Sequence, residues 1–249
     1  MSRHLRSLAC IAALTASVLG PVSASTGHVG VRLERELPFT SGWVTVAGDS
    51  GNITIRSWSK SAVRIEADRR ASSKDLLPRV DVATGPSGLH IRAVESTSPS
   101  LGDSYVNYTI TVPSTASVEV QGASGAISVS GSIAAVVVRS GSGPVSLVRS
   151  AGLVDVSTAS GDIRAVVSSL SNGQRLKIHS GSGEIALSLP AHFEADLSVV
   201  TQAPSFPLSL GLTSHRKGKF VTVNQRLGNG GGSIDLYSET GSVSLRQIK

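Results

Sequence analysis

Through the middle of this 249-residue chain an apolar-x-apolar triplet returns every nine residues, beginning at Val118, Ile127, Val136, Val145, Val154 and Ile163. The second apolar members are Val120, Val129, Val138, Leu147, Val156 and Ala165. Such alternation buries one face of a β-strand, because successive side chains point to opposite sides of the backbone. It argues against helix for most of the chain. The segment Ser168-Ser169-Leu170-Ser171-Asn172-Gly173 adds about four residues, and the rhythm resumes in register at Leu176/Ile178 and Ile185/Leu187. Val44/Val46 and Ile53/Ile55 show the same spacing far upstream.

Gly51, Gly125, Gly143, Gly161, Gly183 and Gly241 each stand two positions before a triplet, and each follows a Ser or Thr. These six are expected as structural corners. Glycine there provides a positive φ or a close backbone approach that a larger residue resists, and the adjacent hydroxyl can bond neighbouring backbone groups. A unit of two strands and two corners, about 18 residues long, cannot bury its apolar face alone and must stack on further copies of itself. Each turn then rises by about 4.8 Å, one strand spacing. The expectation is an all-β chain folded as a β-solenoid, parallel β-helix-like, with about 18-residue two-strand turns. A β-sandwich with hairpin connections is the alternative, since short strands with frequent turn signals fit it as well. The solenoid is favoured because the same residue types recur at the same phase. Asn172-Gly173 and Asn229-Gly230, the pairs that suit tight hairpins, fall outside the regular corners. Aromatic residues are 4% of the chain and charged residues 16%, which suits thin aliphatic rungs with no room for large side chains. Trp43 and Trp58 flank the first repeat and are expected to cover an end or edge of the stack, with a ligand platform as their second role.

Arg3 and Arg6 precede an apolar run from Leu8 to Leu19, and Val22-Ser23-Ala24 supplies a small-residue cleavage pattern. Residues 1–24 are therefore expected to be a signal peptide, and residues 25–249 a single β-solenoid domain, with a division into halves 25–113 and 114–249 near Pro113 left open. The protein is expected to be exported, periplasmic or extracellular and envelope-associated, with no transmembrane segment in the mature chain. The single cysteine, Cys10, lies within the signal and too near its start for lipidation to be expected, so disulfides cannot stabilise the mature protein.

Loss of residues 1–24 lowers the basic count from 23 to 21 against 17 acidic residues, and the formal charge from +6 to +4. The densest basic cluster is His215, Arg216, Lys217 and Lys219. It is a candidate contact for anionic envelope polymers, against a plainly solvated cluster as the simpler alternative. Nucleic acid is not an expected partner, because no helix-turn-helix, zinc finger or aromatic-basic interleaving is present. Three excursions interrupt the rhythm, at Ser72–Pro78, Ser96–Asp103 and Thr201–Gly218. Loops that leave a regular stack are the expected functional surface, with tolerated insertion as the alternative.

The run Gly51-Asn52-Ile53-Thr54-Ile55-Arg56-Ser57-Trp58-Ser59, the Ser-Gly-x-Ile-x-Val repeats and the closing Gly230-Gly231-Gly232-Ser233-Ile234-Asp235-Leu236 resemble a bacterial adhesin-like family of β-strand-repeat domains of unknown function. The resemblance covers nearly all of the mature chain and rests on repeat grammar. It implies an exported or envelope-associated β-solenoid and carries over no catalytic residues.

Exported β-helices can cleave acidic polysaccharides with clustered carboxylates. The best constellation is Asp162 with Glu184 at one phase of neighbouring repeats, with Asp155 on the preceding strand. Ala126, Pro144 and Ser242 break that ladder, and no histidine partners it, so the carboxylates are weighed first as a solvated edge. No cofactor or metal is expected: Gly230-Gly231-Gly232-Ser233-Ile234-Asp235 touches a calcium-binding nonapeptide pattern once, and one pass cannot build paired half-sites. The expected function is a non-catalytic envelope or surface interaction and scaffold module, with envelope proteins or anionic polysaccharide as partners. A polysaccharide-acting enzyme is the alternative.

Overall fold

The computed structural model describes residues 29–94, 104–148, 152–167, 172–191, 193–206 and 210–248. The expected signal peptide with Cys10, and the whole of the Ser96–Asp103 excursion, lie outside the described residues. In chain order the strands are β1 (Val29–Pro38), β2 (Trp43–Gly48), β3 (Ile53–Trp58), β4 (Ala62–Ala71), β5 (Arg79–Gly85), β6 (Gly88–Val94) and β7 (Ser104–Pro113). There follow β8 (Ser117–Gly122), β9 (Ile127–Ser130), β10 (Ala135–Ser140), β11 (Val145–Val148), β12 (Leu153–Thr158), β13 (Ile163–Val166), β14 (Arg175–Ser180) and β15 (Ile185–Pro190). The last are β16 (Ala195–Thr201), β17 (Ala203–Ser205), β18 (His215–Lys217), β19 (Phe220–Leu227), β20 (Gly232–Ser238) and β21 (Ser242–Ile248).

These strands form two large, mostly parallel sheets. The ten-stranded sheet runs β1-β4-β7-β3-β9-β11-β13-β15-β21-β17, and the eleven-stranded sheet runs β18-β19-β16-β20-β14-β12-β10-β8-β2-β6-β5. From β8 to β15 consecutive strands alternate between the sheets. Val118 pairs with Val136 and Val136 with Val154, eighteen positions apart, in parallel register. Ile127, Val145 and Ile163 do the same in the other sheet. The extra residues before β14 displace nothing, because Val154 pairs with Leu176 and Ile163 with Ile185.

The inward residues of the rungs are mostly aliphatic and buried, with Tyr108 a buried aromatic among them, and one apolar cluster runs from Phe39 to Leu245. β-Branched residues dominate it, as suits a pleated surface on which the Cβ branch meets its counterparts one rung away. Strands on both sides of Pro113 share this cluster: β2 pairs with β8, and β3 with β9.

The corners explain the recurrent glycine. None of the six corner glycines has a positive φ. What each requires is space: a Cβ on Gly125 would lie 2.0 Å from the carbonyl oxygen of Gly51, one on Gly143 2.0 Å from that of Gly125, and one on Gly161 2.1 Å from that of Gly143. Gly183 and Gly241 continue the column at 2.1 and 2.2 Å, and Gly51 begins it against Val106 at 1.9 Å. Backbone stacks on backbone at this edge, and any side chain would intrude on the rung beneath.

A second ladder flanks the first. Ser140, Thr158, Ser180, Ser238 and Thr201 are buried, and their hydroxyls line the interior of the corner. Ser140 Oγ donates to the Gly143 carbonyl at 2.9 Å, Thr158 Oγ1 to that of Gly161 at 2.7 Å, and Thr201 Oγ1 to that of Gly241 at 3.0 Å. Ser180 Oγ is buried without a partner. Sequence reasoning missed this ladder, although Ser or Thr three residues before a corner glycine marks it at Ser140, Thr158, Ser180 and Ser238.

The two ends depart from simple stacking by repeats in chain order. β2 and β3 insert between the rung of β6 and β7 and the rung of β8 and β9, while β20 and β21 insert between β14/β15 and β16/β17. Antiparallel strands complete both ends: β1, β4 and β7 on one sheet, β5 and β6 on the other, and β16, β19 and β18 at the C-terminal end. The apolar pair Val63/Ile65 sits on antiparallel β4 and still faces the core.

Two expectations about irregular elements need correction. The Thr201–Gly218 excursion is no free loop. It carries β17 and β18, and its Phe206, Leu210 and Leu212 pack on the end of the core. Gln225 fastens it by accepting the Thr213 N–H at 2.9 Å and donating to the Gly211 carbonyl at 3.3 Å. Exposed aliphatic rungs at a stack end need a cover, and these residues supply it. Neither tryptophan lies on an edge strand, since β2 is flanked by β6 and β8, and β3 by β7 and β9.

Candidate functional site

Asp162 and Glu184 stand in the same corner column, one rung apart. Asp162 Oδ1 accepts the Glu184 backbone N–H at 2.9 Å. Two neutral residues do the same work further along: Asn52 Oδ1 accepts the Ala126 N–H at 3.0 Å, and Asn107 Oδ1 accepts the Asn52 N–H at 2.9 Å. The Asp162 carboxylate thus serves as a backbone acceptor in a position that elsewhere holds asparagine. Glu184 Oε1 accepts from Ser244 Oγ at 3.4 Å. Asp155 is not gathered with them: it lies on the outward face of β12, ion-paired with Arg139 at 3.1 Å. Among the described residues no group of three or more His, Cys, Asp or Glu side chains is placed to hold a metal ion.

The basic cluster occupies an edge. His215, Arg216 and Lys217 form the exposed strand β18, paired on one side with β19. Gly218, at φ +62, and Lys219 make the turn, with Lys219 Nζ 5.2 Å from the centre of the Phe220 ring. Trp58 closes β3: its Nε1–H donates to the Ala62 carbonyl at 2.7 Å, and Lys60 and Arg64 lie over its ring at 4.8 and 5.3 Å. Its polar edge and its face are both engaged within the fold. Trp43 is 36% exposed on the outward face of β2.

The outward face of the eleven-stranded sheet carries a feature that sequence spacing did not reveal. Where β16, β19 and β20 meet, a shallow open groove of about 510 Å³ is lined by the outward residues Asp196, Ser198, Asn224, Arg226, Ser233 and Asp235, with Leu197 and Gln225 between them. The register forms a small lattice. Ser233, Asp196 and Arg226 make one row, and Asp235, Ser198 and Asn224 the next. The Arg226 Nε–H donates to Asp196 Oδ1 at 2.7 Å, fixing both planar groups. Lys177 extends the second row beside Asp235.

A third row begins with His179 and Tyr237, whose rings are 5.6 Å apart and tilted by 55°. Tyr237 is 36% exposed. Burial, with Lys177 nearby, holds the His179 imidazole below its ordinary value of 6.5, against the pull of Asp155 and Asp235. The groove was missed because β16 and β20 are 37 residues apart at their first paired positions, Ala195 and Gly232. No local pattern announces that pairing.

A model of the Toastrack DUF4097 family matches residues 36–246. The chain belongs to that family. The segments behind the adhesin-like resemblance, Gly51–Ser59 and Gly230–Leu236, lie inside the match, as do the corner ladder and the groove of this Toastrack domain. No curated protein matches the chain significantly. Among solved structures, a candidate cell adhesion protein from Clostridium sporogenes ATCC 15579 is similar, at 12% identity and a TM-score of 0.47, over 88% of this chain and 100% of that one. A candidate adhesin from Bacteroides fragilis NCTC 9343 is similar at 12% identity and a TM-score of 0.36, over 88% and 97% of the two chains. Another, from Parabacteroides merdae ATCC 43184, shows 7% identity and a TM-score of 0.35, over 88% and 96%.

Proposed function

We propose that this Toastrack chain is an exported, non-catalytic interaction module of the cell envelope, with residues 1–24 as its leader and residues 25–249 as one β-solenoid. The observation that carries the reading is the use of Asp162. That a carboxylate here does a job that Asn52 and Asn107 do without charge supports a structural role for Asp162 over a general acid or base. Asp155, already paired with Arg139, adds no second catalytic carboxylate to it. These engagements favour the interaction module over the polysaccharide-cleaving alternative.

Support for the solenoid comes from the eighteen-residue parallel register and the alternation of consecutive strands between sheets. Such a scaffold holds outward side chains on a rigid lattice, a suitable base for recognition. The exposed basic turn at β18 supplies attraction to anionic envelope polymers, and the groove over β16, β19 and β20 supplies a shaped contact. Among the described residues no helix is long and apolar enough to cross a membrane.

The test is site-specific photo-cross-linking of the full chain in its native cells, with the reactive group at Asn224 on the groove face or at Ser128 on the opposite sheet. Capture of a defined envelope component from Asn224 supports the module. Equal capture from both faces, or a fractionation that leaves the chain in the cytoplasm, overturns it.

A further inference from the structure

We propose that the groove over β16, β19 and β20 is a binding site for a neutral glycan, a site distinct from the basic turn. The inference rests on the interaction-module reading and names the ligand class of one of its faces. It begins with charge. Arg226 is ion-paired with Asp196 at 2.7 Å, and Asp235 has Lys177 as its register neighbour. Two acids, Asp196 and Asp235, stand beside two bases, Arg226 and Lys177, so the lattice carries no net charge with which to select an anionic or a cationic ligand. What it offers is directional hydrogen bonding: planar carboxylates at Asp196 and Asp235, a planar amide at Asn224, and hydroxyls at Ser198 and Ser233. These side chains are short and their backbones are fixed in paired strands, so ordering them on a ligand costs little entropy.

The second element is amphipathicity. The rows holding Asp196 and Asp235 are polar, whereas the next row places Tyr237 beside Val200, with His179 leaning on the tyrosine ring. A pyranose has the matching form: hydroxyls at its rim and a C–H face that stacks on an aromatic ring. An open groove, unlike an enclosed pocket, suits a chain that continues beyond the contact. Successive rows along each strand lie two residues apart, about 7 Å, so the polar and aromatic rows fall within reach of one or two sugar units.

Oligosaccharide titration of the isotopically labelled full chain by NMR tests this, with chito-, cello- and malto-hexaoses as neutral probes and hexagalacturonate as the anionic one. The expected result is binding of at least one neutral hexaose, with shifts at the Asn224 side-chain amide and the Tyr237 ring. Tyr237→Ala should weaken it by about tenfold or more. Raising salt from about 50 to 500 mM should change the affinity by less than about twofold, since no net charge is exchanged. Asn224→Ala, an exposed substitution, provides a second variant, and an unchanged melting temperature shows that each variant is folded. The proposal is overturned if no neutral hexaose binds, if binding survives both substitutions, or if hexagalacturonate alone binds in a salt-sensitive way. Failure with every neutral hexaose, alongside capture of an envelope protein from Asn224, overturns the glycan inference and leaves the interaction module standing.

Discussion

Asp162 Oδ1 accepts the backbone N–H of Glu184 from the next rung at 2.9 Å, the bond that Asn52 makes to Ala126 at 3.0 Å. The position needs an acceptor oxygen, and a negative charge adds nothing essential to it. Asp162→Asn is expected to leave stability within about 0.5 kcal/mol of the parent, whereas Asp162→Ala, which removes the acceptor, costs about 1 kcal/mol. Urea midpoints of the two variants check this. A larger loss for Asn than for Ala would contradict the structural role.

The corner glycines are constrained by contact, so the smallest side chain is already too large. Gly143→Ala places a methyl group 2.0 Å from the Gly125 carbonyl and should lower the unfolding free energy by about 3 kcal/mol. Ser128→Ala, on an outward position of β9, should change it by less than about 0.5 kcal/mol. Chemical denaturation of the pair separates crowding at the corner from a general cost of substitution.

The hydroxyl ladder predicts unequal costs for similar changes. Thr158→Val removes the donor to the buried Gly161 carbonyl and should cost about 1–2 kcal/mol. Ser180→Ala removes a buried hydroxyl that has no partner, and it should be neutral or slightly stabilising. Thermal melts of both variants test the ranking.

The C-terminal strands are interior rungs. β20 lies between β14 and β16, and β21 between β15 and β17, so deletion of residues 232–249 leaves four unpaired edges inside the stack, on β14, β16, β15 and β17. The truncated chain is expected to lose its cooperative denaturation transition and to aggregate, as light scattering and circular dichroism will report. A chain stacked in simple sequence order would lose only its last rung.

His179 supplies a pH signature. Desolvation, with Lys177 and Arg139 near, outweighs Asp155 and Asp235 and lowers its folded value below 6.5. Between the lowered value and 6.5 the unfolded chain binds more protons, so stability rises with pH through that window. Below the folded value both states are protonated and this contribution flattens. His179→Gln should reduce the slope just below pH 6.5, and an NMR titration of the imidazole should show a midpoint under 6.5.

The nine-residue beat carried the regular rungs far. Val118, Val136 and Val154 were legible as one core column, because alternating polarity leaves a strand a single way to face inward. The corner glycines were legible as corners, but not the reason for them. A sequence shows glycine without showing whether φ or crowding demands it, and here the carbonyl of the preceding rung decides. The serine and threonine three residues before those glycines were also in plain view. Their role appears only when the corner folds the hydroxyl back onto the glycine carbonyl.

By itself, then, the sequence determined strand character, the inward face of each rung, the eighteen-residue spacing and the corner positions, all of them local matters of side-chain alternation and chain geometry. Only the tertiary structure decided that β2/β3 and β20/β21 insert out of sequence order, that Phe206, Leu210 and Leu212 cover the end of the core, and that Asp196, Asn224 and Asp235 share one groove. The physical reason is that equivalent rungs present nearly the same edge to one another, so local pattern alone cannot rank their neighbours. Covering the stack ends and pairing the interior strand edges selects the order, and those requirements exist only once the whole chain is assembled.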